Sequence, residues 1–409
     1  MQASTPAQSR FSLSAFLSLG FRPLYICGAA WALISIAIWV FTPQLLTGQL
    51  SGVWWHAHEM LWGFVATIAV GFLTTASATW TGNNPLKGAA LGMLALCWLV
   101  ARLAFLIPGQ AAFVLGAVSD TLFYLIAAVA LWRVIFKARN KRNYILPWAV
   151  LVLGLTNVLY LVAVAQGRAM LLTEVLRVGI LCMVFITLLI ARRVIPFFAT
   201  RAITGLKIPA HERSGLVQLV ACAVAMLAVV LQQDYALAMG AAVAGAVALY
   251  QLVQWKPLAV VRVPLLWVLY LAWFFLGIGL LLAAGYFIGW RPLLLARQAA
   301  YVHVIAMGGF SIMIIGMITR TALGHTGRAL KADRLMVSSY ILVFIATVTR
   351  LIALMIPVVS VPMLHLSAAA WIVAFGLYLY RFVPLLVAPR PAAGNTMPAG
   401  VIRPQETKS

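Results

Sequence analysis

Residues Trp54–Gly82 read WWHAHEMLWGFVATIAVGFLTTASATWTG. Past Met60 the run carries no charge, and it is long enough to cross bilayer hydrocarbon, which takes about 20 apolar residues in a helix. Yet it opens with His56, His58 and Glu59, directly after a tryptophan pair. An uncompensated charge at membrane depth costs roughly 3 kcal/mol on insertion scales. Such groups call for a partner, a water-filled cavity or a metal.

The rest of the chain fits this setting. Of 409 residues, 64% are hydrophobic and only 9% charged, with a mean hydropathy of +1.04. This composition excludes a soluble domain and predicts an all-α polytopic membrane protein. Seven acids against 29 Lys+Arg give +22. In a soluble protein that excess would point to nucleic acid. Here it belongs to loops beside the spans, so the bilayer is the expected partner and nucleic acid is not. The four cysteines lie inside apolar runs without CxxC spacing, as buried small hydrophobes do.

Apolar runs mark twelve spans, at 24–42, 54–79, 86–107, 111–136, 144–165, 171–195, 214–232, 235–253, 263–287, 295–319, 334–356 and 362–386. The expected division is an N-terminal cytoplasmic segment over 1–23, a transmembrane domain over 24–388, and a disordered cytoplasmic tail over 389–409. The connections leave no room for a soluble domain. Most basic residues fall in the N-terminal segment, the even-to-odd loops and the C-terminal end, which predicts that both termini are cytoplasmic. That orientation brings His56 and His58, at the start of the second span, to the outer side with His303 in the tenth and His365 in the twelfth. Glu59, Arg102, Glu174, Arg177, Arg297 and Arg350 lie at similar depth. His211 and His325 fall in cytoplasmic loops.

The tenth span also echoes the second. At a constant offset of 245, His58 matches His303, Gly63 matches Gly308, Gly71 matches Gly316, Thr74 matches Thr319, Thr81 matches Thr326 and Gly82 matches Gly327. This reads as an internal repeat of helices 1–2 and 9–10, which predicts that His58 and His303 sit at equal depth and face each other.

The residue types point to metal chemistry. His56 and His58 are about 200° apart on a regular helix, so one metal takes both only if the helix starts irregularly. Glu59 shares a face with His56 and could accept its second N–H, as a carboxylate behind a ligating histidine does. His303 and Met307 stand one turn apart, and an imidazole–thioether face suits haem iron or copper. Arg102 and Arg350 could meet haem propionates or reach outward to water. Glu174 and Arg177 are placed to neutralise each other or to support a ligand. The turn LGHTGR at Leu323–Arg328 could bind an anion or simply close a loop.

FRPLY at Phe21–Tyr25, WWHAHEMLWGF at Trp54–Phe64, WTG at Trp80–Gly82, RRVIPFF at Arg192–Phe198 and HVIAMGGFSIMIIGMITRTALGHTGR at His303–Arg328 resemble the NnrS family. The resemblance follows the spans in order. It implies a multi-pass protein of the bacterial inner membrane that binds haem and copper and acts in the response to nitric oxide and nitrosative stress. It names no reaction and does not assign the histidines, so an enzyme, a sensor and a sink all stay open. The residues favour His58 and His303 as ligands of a b-type haem, with His56 and His365 as copper ligands or as alternatives. Nitric oxide is then the expected ligand, and a quinone or a membrane redox partner the expected electron donor. The competing class is a twelve-helix secondary transporter, with the histidines, Glu59 and Glu174 as a proton or substrate path; a third is an assembly factor without metal.

Overall fold

In a computed structural model of the chain, residues 11–290 and 297–391 are described. The first ten residues and most of the expected tail lie outside them, as does Arg291. Among the described residues every regular element is helical. Eleven helices are long and apolar enough to cross a membrane, and one shorter apolar helix, Ala89–Ala104, completes the twelve expected spans. We number them α1 (Phe21–Phe41), α2 (Gly52–Thr81), α3 (Ala89–Ala104), α4 (Gln110–Lys137), α5 (Ile145–Ala165), α6 (Ala169–Ala202), α7 (Glu212–Val230), α8 (Asp234–Gln254), α9 (Pro264–Phe287), α10 (Gln298–His325), α11 (Arg334–Met355) and α12 (Ser360–Leu386).

Short connections make sequential helices antiparallel neighbours, and α12 returns to pack on α1. Outer helices turn apolar stripes outward, as at Leu151, Leu155, Leu159 and Val162 of α5, where hydrocarbon replaces water. The interior belongs to α2, α6 and α10. Some 78%, 72% and 72% of their apolar windows are buried, against 61% or less elsewhere. α6 runs through Pro196 instead of stopping before it, because an internal proline removes one helical hydrogen bond and a long, packed helix tolerates the loss. The basic end is tied by hydrogen bonds: Arg22 donates to the carbonyls of Leu386 (2.8 Å) and Ala388 (2.7 Å). The 323–328 segment is a closing turn, with Gly327 at φ +73° and Arg328 N–H donating to Leu323 O.

The 245-residue correspondence extends into the backbone. Each helix changes from α to π winding one residue after the paired histidine, over Glu59–Val65 in α2 and Val304–Ser311 in α10. The Thr74 hydroxyl bonds Val70 O, and Thr319 bonds Ile315 O. Thr81 bonds Ser77 O, and Thr326 bonds Ala322 O. Gly82 and Gly327 both leave the helix at positive φ, +69° and +73°. Gly71 lets α1 approach, since a Cβ there would lie 3.0 Å from Leu24 Cβ. Gly316 does the same for α9, where a Cβ would lie 2.7 Å from Val268 Cγ1 and 2.8 Å from Leu269 Cδ2. Gly316→Val therefore overpacks this contact and should cost about 1–3 kcal/mol. The check is the thermal unfolding midpoint in detergent, which falls if the helices meet as described and holds if they do not.

Candidate metal and cofactor site

The histidine end of α2 presents two polar clusters on opposite sides. π winding frees carbonyls that an α-helix would have bonded, and in a membrane these must find other donors. Around α2 they do. The carbonyl of Trp62 accepts from Tyr124 Oη (2.7 Å), and that of Gly63 accepts from Trp98 Nε1 (2.9 Å) and Thr67 Oγ1 (2.9 Å). In α10, Ser311 Oγ donates to Ala306 O (2.8 Å).

One cluster faces α3, α4 and α5. His58, Glu59, Arg102, Asp120 and Asn157 are all fully buried. His58 Nδ1 lies 2.8 Å from Glu59 Oε1, and His58 Nε2 lies 2.7 Å from Asn157 Oδ1. Asn157 Nδ2 donates to Asp120 Oδ2 at 2.8 Å, which turns its carbonyl toward the imidazole. The Arg102 guanidinium stands between the carboxylates, 3.0 Å from Glu59 Oε2 and 2.7 Å from Asp120 Oδ1. Trp31 Nε1 donates to Glu59 Oε2 at 2.6 Å. Gly63 makes room for all this, since a Cβ would collide with Arg102 Nη1 and lie 2.7 Å from Glu59 Oε2.

The second cluster lines a cavity of about 310 Å³ bounded by α1, α2, α6, α10, α11 and α12. Its walls are largely apolar and aromatic. His56, His303, Met60, Met307 and Arg350 face into it. The His56 and His303 rings lie 6.5 Å apart between centroids and 17° from parallel. The His56 ring stacks on Trp39 at 5.1 Å, and its Nδ1 is buried without a hydrogen bond among the described residues. His303 Nδ1 sits 2.7 Å from Ala299 O, so its N–H donates there and Nε2 stays uncommitted. Among the described residues Arg350 makes no ion pair.

The expected ligand pairing changes accordingly. His58 and His303 share a register but not a site, because both His58 nitrogens are spent in the buried network. His303 has no such neighbours, since the position matching Glu59 is Val304. The imidazole opposite His303 is His56. Arg102 is enclosed by carboxylates and does not reach the cavity, while Arg350 does. Glu59 supports His58 and not His56. His365 is exposed, 5.4 Å from the Phe41 ring, outside the cavity lining. Glu174 and Arg177 do not pair: Glu174 accepts from Gln232, while Arg177 donates to Gln298 and lies over Phe287. Asp120, Asn157, Trp31 and Met60 join the site without having been singled out from sequence. A lone acid inside the apolar run 111–136 was the available signal for Asp120.

The cavity residues fit a flat apolar group carried between two imidazoles. A metal at about 2.0–2.1 Å from an imidazole nitrogen lies roughly 3 Å from that ring's centroid, so two rings that share an ion would sit no more than about 6 Å apart, close to the separation found here. The His303 carbonyl bond is the support expected behind a ligating histidine. Among the described residues no group of three or more His, Cys, Asp or Glu is placed to hold a metal ion, so a metal in this cavity would depend on this ring pair, the thioethers, or a macrocycle.

A family model described as the NnrS protein matches residues 15–390. The chain belongs to the NnrS family. No curated protein is similar enough to count as a match. The match spans α1 to α12, so both clusters lie inside the matched region.

Removing one member of the buried network strands the others. Arg102→Ala should destabilise this NnrS protein by about 3–5 kcal/mol, the range for breaking a buried ion pair from one side. Thermal unfolding in detergent reads the effect, and an unchanged midpoint would mean the carboxylates do not depend on Arg102.

Proposed function

We propose that this chain is a bacterial inner-membrane protein, both termini cytoplasmic, that holds b-type haem and copper in its periplasmic half and acts in the response to nitric oxide. The observation that carries this reading is the opposition of His56 and His303 across a partly open, largely apolar cavity. Both imidazoles would serve the bound group. Met60 and Met307 add soft sulfur donors, which suit copper or a haem iron of raised potential. When bound, such a group supplies a metal centre for nitric oxide and for one-electron chemistry.

The remaining roles belong to the chain. Trp39 holds the plane of His56, and Ala299 O holds the tautomer of His303. Arg350 brings a positive charge that no carboxylate among the described residues pairs, suited to an anionic edge such as a propionate. The apolar walls keep water from the rings. The His58–Glu59–Arg102–Asp120 network fixes the start of α2 and thereby the direction of His56. On this reading nitric oxide is the ligand, and a quinone or a membrane redox protein donates electrons.

The test is the absorption spectrum of protein purified from haem-replete cells, with copper measured by elemental analysis. The wild type shows a Soret band. His56→Ala and His303→Ala each lose or shift it, while His365→Ala keeps it. A colourless wild-type preparation, or an unaltered band in both ligand variants, refutes the proposal, and the colourless result favours a transporter.

A further inference from the structure

A second, smaller cavity of about 90 Å³ lies deeper between α1, α2, α6 and α10. Its lining is apolar but for Tyr25 and Thr187, and Thr187 spends its hydroxyl on Met183 O at 2.8 Å. A water molecule needs two to four polar partners, so such a space stays dry and takes apolar guests instead. Its position along the helices is informative. The lining runs from the middle of α2, α6 and α10, at Val65, Thr187 and Met313, toward their second halves, at Leu73, Val194 and Met317, and to Tyr25 near the start of α1. That range falls within the helix lengths that span the hydrocarbon. Ala69, Phe72, Thr187 and Met317 are only partly buried and form an outward mouth, whereas Val65, Ile68 and Phe310 are buried behind them. Val65 and Phe310 also line the larger histidine cavity. The two spaces therefore share a wall made by these two side chains, and the small one opens outward.

We propose that the crevice between α2, α6 and α10 is a lateral access route by which a small apolar gas passes from the bilayer core to the His56–His303 cavity, with Val65 and Phe310 as the inner wall. The inference rests on the metal-site reading for its destination only. Gases of diatomic size dissolve better in hydrocarbon than in water, so the membrane concentrates them at this mouth. The volume suits a diatomic molecule, and beyond the single Tyr25 hydroxyl the lining offers ions and water no uncommitted polar group. The polar end of the bundle, by contrast, would admit solutes of every kind.

Xenon is the probe, because it reports apolar space whether or not haem is present. Crystals of the full chain pressurised with xenon should show an anomalous peak in the small cavity. Ala69→Leu, which fills the mouth, should abolish that peak. In haem-loaded protein, Phe310→Trp should slow bimolecular carbon monoxide recombination after flash photolysis about tenfold, a barrier change of about 1.4 kcal/mol, with the Soret maximum unmoved. No xenon in the wild-type cavity, an acyl chain ordered in its place, or an unchanged recombination rate in Phe310→Trp would each overturn the route. A preparation without haem defeats the metal-site reading but leaves the xenon result intact, so the two failures are distinguishable.

Discussion

Arg102 lies between Glu59 and Asp120 with none of the three charges touching solvent. In hydrocarbon none of them can be left alone, because the effective penalty for an unpaired buried ion is several kcal/mol. The ions therefore constrain α2, α3 and α4 to meet at one place. Asn157 extends the constraint to α5, and Trp31 extends it to α1. A fold made mostly of interchangeable apolar contacts gains its registration from these few directional ones. Whether the pairs add net stability is secondary to that role. Replacing them all by hydrocarbon would leave helices of similar affinity free to slide.

The π segments are the second device, and they work with the first. Inserting wider turns after His58 and His303 rotates the residues before each segment relative to those after it. In α2 the regular turn before the segment already sets His56, which faces the cavity, about 200° from His58, which faces the ions. The carbonyls released by the change are taken up by Tyr124, Trp98 and Thr67. The same winding at the matched position of α10 puts His303 opposite His56, with its Nδ1 on Ala299 O. A repeated backbone thus carries two different side-chain environments. One half neutralises a histidine in an ionic network; the other leaves it free to bind.

Much of this could be read from the residues. Twelve spans follow from hydrophobic runs, because bilayer thickness sets one length scale for all of them. The paired glycines and threonines of α2 and α10 mark equal helix contacts and equal ends, and those recur in three dimensions. The gathering of histidines at one end of the bundle was likewise legible. What periodicity could not give was which histidine meets which. The 245-residue repeat puts His58 and His303 in register, and nothing in either run shows that Glu59 and Asn157 take both nitrogens of His58. Arg102 misled for a related reason. Its position near a helix end suggests an outward reach, but its partner Asp120 lies in the next span, and pairing across helices is not written in either run alone.

The account stands on His56 and His303 binding one group from opposite sides. The most direct measurement is pulsed electron paramagnetic resonance on the oxidised protein with ¹⁵N-labelled histidine. It predicts two histidine nitrogens coupled to the metal in the wild type, with the coupling pattern changed by replacing either residue and unchanged by replacing His365. Coupling to a single histidine, or a pattern indifferent to both replacements, would contradict it.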